Sequence, residues 1–333
     1  MQRVGRPGAI LLDRSHLDAL WGECLGLEMK RIIGLWVLWC AGLAVSARAG
    51  DLQPLVDRAV QSTLERFQAQ GLKSDQLAIT LVDLSAAERP QQASYRGEVS
   101  IYPASVIKLF YLAAAHRWLE DGKLTDTSEL RRAMRDMIVD SSNDATHYVI
   151  DLLSGTTSGP ELPEAELKTW FEKRAVVTRY FAGLGYRGVN ASKKPWGDGP
   201  YGRESQAIRA YEPKRNMLTT EATARLWVDI ATGLSVTPTR SSEMRALLER
   251  DPAAKTEDLD DQAKFTGTEL PAGAKLWSKA GWTSQTRHES AYVELPGGRK
   301  YVLVVFTMDH AGERAILRNI AAVVAAGMSK VRE

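Results

Sequence analysis

The sequence predicts an α+β fold: one antiparallel sheet formed from both chain ends, flanked by helices, with a mostly helical lobe inserted between them. Strand composition is confined to residues 76–97 and 274–308, and the intervening stretches carry helical apolar spacing. In chain order, residues 52–68 have an amphipathic helical pattern. Residues 76–83, Gln-Leu-Ala-Ile-Thr-Leu-Val-Asp, form a strand, and a second short one follows at 94–97. Helices are expected from Ser105 onward and at 126–139, 144–153, 164–183 and 219–231. Strands return at 274–279, 290–295 and 300–308, the last two joined by the turn Pro296-Gly297-Gly298. A closing helix over 312–331 carries Ile316, Ile320, Val323 and Val324 at helical spacing. A cleft is expected where the two lobes meet. The Gly-, Pro- and Lys-rich stretch 185–215 is longer than an ordinary connection, which marks it as functional or mobile.

With 333 residues, 44% of them hydrophobic and 25% charged, the chain can bury a sizeable core. Its net charge of +2 is spread over interleaved acids and bases, so nucleic-acid binding is set aside. The five histidines are scattered, and Arg287-His288-Glu289 lacks a second histidine one turn on, so neither a metal nor another cofactor is expected.

Lys30 and Arg31 precede an apolar run from Ile32 to Val45 that ends in Ala47-Arg48-Ala49. Residues 29–49 therefore read as a secretory signal peptide, and a periplasmic or secreted product is expected. The run is too short for a comfortable membrane span, which takes about 20 residues. Residues 1–28 are unlike a signal, so the expected translation start is Met29, leaving residues 50–333 as the working domain, a monomer. Cys24 and Cys40 both precede the cleavage site, so the mature chain would hold no thiol.

Ser105-Val106-Ile107-Lys108 opens the most apolar helical run of the mature chain, with Pro103 suited to a first helical turn. Residues three apart share a helix face, so the Lys108 amine is expected to reach back to the Ser105 hydroxyl. Buried among Val106, Ile107, Leu109 and Phe110, that amine should lose its proton easily and serve as a base. A capping Ser105 and a snorkelling Lys108 would read the same way in isolation.

Two more motifs fall where the cleft needs them: Ser141-Ser142-Asn143 between helices, and Lys279-Ala280-Gly281-Trp282 at the end of a late strand. With these three in order, residues 52–331 resemble the penicillin-recognising serine hydrolases, and most closely the class A β-lactamases. The resemblance implies that Ser105 attacks a β-lactam or related acyl carbonyl, with the backbone N–H groups of Ser105 and Trp282 forming an oxyanion hole. It implies that Ser141 relays a proton to the departing nitrogen and that Asn143 holds Lys108 or the substrate amide. Lys279 would supply positive charge near Ser141 and the substrate carboxylate, with Gly281 also on the substrate side. Ser141 and Asn143 could equally cap a helix.

Ala280 departs from the pattern, since the family carries a hydroxyl there that helps bind the substrate carboxylate. Arg287 or His288 is the expected compensation. The stretch between Ser105 and Ser141 is short for the family, and residues 155–215 are long. For the deacylating glutamate two positions compete ahead of Thr219-Thr220: Glu212, in the E-P-x-x-N pattern Glu212-Pro213-Lys214-Arg215-Asn216, is preferred slightly over Glu204. The expected activity is hydrolysis of a β-lactam through an acyl-enzyme. The alternatives are a D,D-peptidase or transpeptidase acting on peptidoglycan-derived substrates, and a catalytically silent binding module of the same fold.

Overall fold

The structure is a computed structural model that describes residues 52–86 and 89–330. The signal segment, both cysteines and the proposed extension lie outside the described residues. No helix among the described residues is long and apolar enough to cross a membrane.

The chain begins with α1 (Gln53–Arg66), β1 (Leu77–Asp83) and β2 (Gln91–Tyr95). Helices α2 (Lys108–Glu120), α3 (Ser128–Ile138), α4 (Asn143–Ser154), α5 (Glu164–Arg174) and α6 (Val176–Gly183) follow. Next come α7 (Gly202–Ala210), α8 (Thr220–Thr232) and α9 (Pro238–Leu248). The chain closes with β3 (Glu249–Arg250), β4 (Lys275–Ser278), β5 (Gly281–Trp282), β6 (Thr286–Glu294), β7 (Lys300–Met308) and α10 (Ala315–Ser329).

The sheet runs β2-β1-β7-β6-β4-β3, all antiparallel, with β5 also pairing to β6. Its centre joins the two chain ends, Leu77 opposite Thr307 and Asp83 opposite Tyr301. Because side chains alternate along a strand, β1 and β7 serve two cores at once. Leu77, Ile79, Leu81, Leu303 and Val305 pack with α1 and α10, whereas Ala78, Val82, Val302, Val304 and Phe306 pack with α2 and α8. Burial on both faces explains the unbroken apolar runs in these strands.

Three expectations change. The helix expected over 164–183 breaks at Ala175 into α5 and α6. Residues 202–210 and 238–248 are helical, and the first of these lies inside the stretch expected to be irregular. That stretch is fastened from within: Asn216 Oδ1 accepts from the N–H groups of Ser192 (3.1 Å) and Lys193 (2.9 Å), and its Nδ2 donates to the Lys193 carbonyl at 2.7 Å.

Candidate active site

Ser105 does not open an α-helix. It sits in a 3-10 turn, Ala104–Ile107, and the α-helix begins at Lys108. Ala104, at φ 46°, holds a left-handed backbone that a side chain adopts only at a cost, and it leaves Ser105 half-buried between buried neighbours. Lys108 is fully buried, and its amine bonds to partners other than the expected one. It donates to the Ser141 carbonyl at 2.5 Å and to Asn143 Oδ1 at 2.8 Å, with Ser141 Oγ at 3.4 Å. No hydrogen bond joins Lys108 to Ser105 among the described residues. A desolvated amine needs strong acceptors, and the carbonyl and amide oxygens of the second motif supply them.

The capping alternative for the second motif resolves residue by residue. Ser142 is the cap of α4, accepting from the Ala145 N–H at 3.2 Å. Ser141, at φ 54°, is released from that task and turns its hydroxyl toward two lysines. Lys279 Nζ lies 3.0 Å from Ser141 Oγ and also donates to Gln262 Oε1 and the Ala280 carbonyl, both at 2.8 Å. Ser105, Lys108, Ser141, Asn143 and Lys279 thus converge from the inserted lobe and the sheet. Gly281 brings β5 against the Ser105 turn, because a Cβ there would lie 2.7 Å from the Pro103 oxygen and the Ser105 nitrogen. Half-buried Trp282 packs on Phe265, ring centroids 5.5 Å apart, and lines a cavity of about 530 Å³ beside Ser141. The larger cavity, about 590 Å³ at Tyr186 and Arg187, touches none of the three motifs.

Burial sets the electrostatics. It pulls the Lys108 amine from 10.5 down to about 7. It takes Lys279 well below the ordinary lysine value, helped by the positive charge of Lys108 and then of Arg250. Glu289, also fully buried, is pushed up to about 8 by burial, against the pull of Lys279. A neutral Lys108 can accept a proton, so any reaction using it should speed up as pH rises through about 7 and level off above. A pH–rate profile for covalent labelling of Ser105 checks this. The linkage has the same sign: between about 7 and 10.5 the unfolded chain binds the extra proton, so this group's contribution to stability rises with pH across that window.

Arg287 is not free for a substrate. Its Nε donates to the Ala311 carbonyl at 3.0 Å, its guanidinium pairs with Asp260, and it stacks over Phe265 at 4.5 Å. His288 is likewise taken, with Nδ1 accepting from the Thr307 N–H at 3.0 Å and Nε2 therefore donating to the Tyr102 carbonyl at 2.9 Å. Glu204 is buried in an ion-pair network, 2.9 Å from Arg174 and 3.8 Å from Lys194, and accepts from Ser158 Oγ at 2.8 Å. That carboxylate is committed to holding α5 to α7. Glu212 sits on the exposed bend after α7 and pairs with Lys214 at 3.1 Å. Neither glutamate is hydrogen-bonded to Ser105, Lys108 or Asn143 among the described residues.

Gln262 and Asp260 escaped the sequence reading. Both lie in the aperiodic acidic run Glu257-Asp258-Leu259-Asp260-Asp261-Gln262, where only tertiary contact distinguishes one polar side chain from the next. Among the described residues no group of His, Asp and Glu is arranged to hold a metal.

Comparison with known proteins agrees with the fold. The sequence matches no curated protein. A β-lactamase from Sphaerobacter thermophilus shares the fold at a TM-score of 0.60 and 18% identity, over 85% of this chain and 100% of that one. A second β-lactamase, from Chitinophaga pinensis, superposes at 0.57 and 17% identity over 80% of this chain and 98% of its own. A protein named PBP-A superposes at 0.60 and 16% identity, over 85% of this chain and 98% of its own. At these identities the likeness is one of fold. The model of the β-lactamase enzyme family matches residues 126–327, more than half of the chain and two of the three motifs, and the protein therefore belongs to the β-lactamase enzyme family.

Proposed function

We propose that the protein is a serine hydrolase that is acylated at Ser105 by a β-lactam or a related acyl compound and then releases the acyl group to water. The observation that carries this reading is Ser141 Oγ, 3.0 Å from the Lys279 amine and 3.4 Å from that of Lys108, both lysines being fully buried. In the first half-reaction the Ser105 oxygen bonds to the acyl carbon and its proton passes to neutral Lys108. The C–N bond then breaks, and the proton moves from Lys108 through the Ser141 hydroxyl to the departing nitrogen. Backbone N–H groups of Ser105 and Trp282 would hold the carbonyl oxygen as it becomes negative. Mass spectrometry after brief exposure to β-lactams and activated peptide esters tests this. An adduct of the acyl mass on the peptide containing Ser105 is the expected result, and the lack of any adduct would refute the reading.

Release of the acyl group is where a second reading gains support. With Glu204 locked in its network, Glu212 is the remaining candidate to activate water, and to do so it must leave Lys214. If it does, Glu212→Gln should lengthen the life of the adduct about 100-fold or more, the lower end of general-base effects. An unchanged and long lifetime would instead favour an enzyme of the D,D-peptidase or transpeptidase kind, in which water is not the acyl acceptor. A chase of the adduct by mass spectrometry separates the two. Export by the segment 29–49 belongs to the same proposal, and N-terminal sequencing of the native protein should find Gly50 first.

A further inference from the structure

Every group that the sequence marks for a substrate carboxylate is spent inside the protein. The hydrogen-bonding capacity of the Lys279 nitrogen is taken up by Ser141 Oγ, Gln262 Oε1 and the Ala280 carbonyl. Its side chain is 0% exposed. Ala280 has no hydroxyl, and its N–H donates to the same Gln262 oxygen at 3.1 Å. Arg287 pairs with Asp260, which it shares with Arg314, and is buried against Phe265. Gln262 is held at both ends, since its Nε2 donates to the carbonyls of Ile138 (3.2 Å) and Val139 (3.0 Å) at the end of α3. One carboxamide oxygen thus takes up two donors of the third motif, as an anionic oxygen from a ligand otherwise would. The cavity beyond, opening beside Ser141 and Trp282, sets Asp251, Asp258 and Asp261 against Arg250.

We propose that Gln262 closes the cationic corner of the cleft, so that the acyl donor accepted at Ser105 carries no anionic group on its leaving-nitrogen side, but an amide or amine facing the Asp-lined cavity. This rests on acylation at Ser105. Gln262 acts as a positioning and specificity residue through Lys279. A carboxylate in that cavity would meet the like charges of Asp251, Asp258 and Asp261, against the single lining cation Arg250, whose terminal nitrogens already donate to the Leu247, Glu249 and Ile138 carbonyls. This disfavours it independently of how well the acyl part fits.

The test compares benzylpenicillin with its primary carboxamide, in which only the carboxylate is changed. Acylation rates of Ser105 are followed by intact mass, each divided by that donor's own rate of alkaline hydrolysis. The carboxamide is expected to react about tenfold faster or more, the equivalent of one modest charge repulsion. In Gln262→Ala, which returns a donor of Lys279 to the cleft, the ratio should swing toward the carboxylate by a similar factor. Because Gln262 also ties α3 to the sheet, Asp260→Asn, which removes the negative charge that Arg287 and Arg314 share, serves as a second variant with the same expected direction. A merely structural lesion slows both donors alike and leaves the ratio where it was. A wild-type protein that prefers benzylpenicillin, or a ratio unmoved in both variants, overturns the inference while acylation stands. If neither donor labels Ser105, acylation itself falls and the inference with it.

Discussion

Lys108→Met should slow acylation of Ser105 by about 10²- to 10⁴-fold, the range over which a positioned base contributes, while the protein stays folded. The two effects separate because of what methionine keeps and loses. It fills nearly the same volume at a fully buried position, so the surrounding packing is preserved. The Ser141 carbonyl and Asn143 Oδ1 lose a donor, which costs about 1–3 kcal/mol. Against this, an amine whose burial drives its pKa down to about 7 no longer has to be desolvated, and the two terms offset. Intact-mass kinetics beside thermal denaturation checks both halves. A variant that labels at the wild-type rate would show that Lys108 is only an anchor for the second motif. The rise in rate through pH 7 should also vanish in this variant.

Gly281→Ala is expected to cut acylation about 100-fold and to cost about 1–3 kcal/mol of stability. The added Cβ would lie 2.7 Å from the Pro103 oxygen and the Ser105 nitrogen and 2.8 Å from the Val106 nitrogen. All three are backbone atoms, with no flexible side chain to swing aside, so β5 and the Ser105 turn must separate. That separation displaces the Ser105 hydroxyl and widens the gap between the Ser105 and Trp282 amides. Gly183→Ala is the matched control, because a Cβ there meets nothing within 4 Å at an ordinary helical φ. It should leave both rate and stability within the range of a neutral helix substitution, about 1 kcal/mol. Equal losses in the two variants would remove the close approach at Gly281 as the cause.

The fold was largely legible in the sequence because its strands are buried on both faces and its helices are periodic. Residues 300–308 were read as a strand to the residue, and α3, α4 and α8 to within two positions. Helices α7 and α9 were missed, their polar sequences weakening any periodic signal. At the site, what could be read was the identity of the residues in each motif. What could not was which neighbour each side chain chooses. The spacing of Ser105 and Lys108 assumed an α-helical turn, whereas the left-handed Ala104 and a 3-10 turn set the serine apart, and the amine found better acceptors 33 positions on. The same limit applies to Arg287 and Glu204. As single letters each looked available, and each is consumed by an ion pair with a residue distant in sequence.

The pairing of β1 with β7 has a consequence for synthesis. A ribosome builds the chain from one end, so β1 emerges more than 200 residues before the strand that completes its edge. Until then β1 can pair with β2 alone, and the loop to be closed is nearly the whole domain, an entropic charge that only the finished sheet repays. Lys279 and Gly281 arrive on the same late segment. An unfinished chain therefore carries Ser105 in its turn with no sheet to meet it, and the proposed acylation centre is assembled only when the late strands are in place.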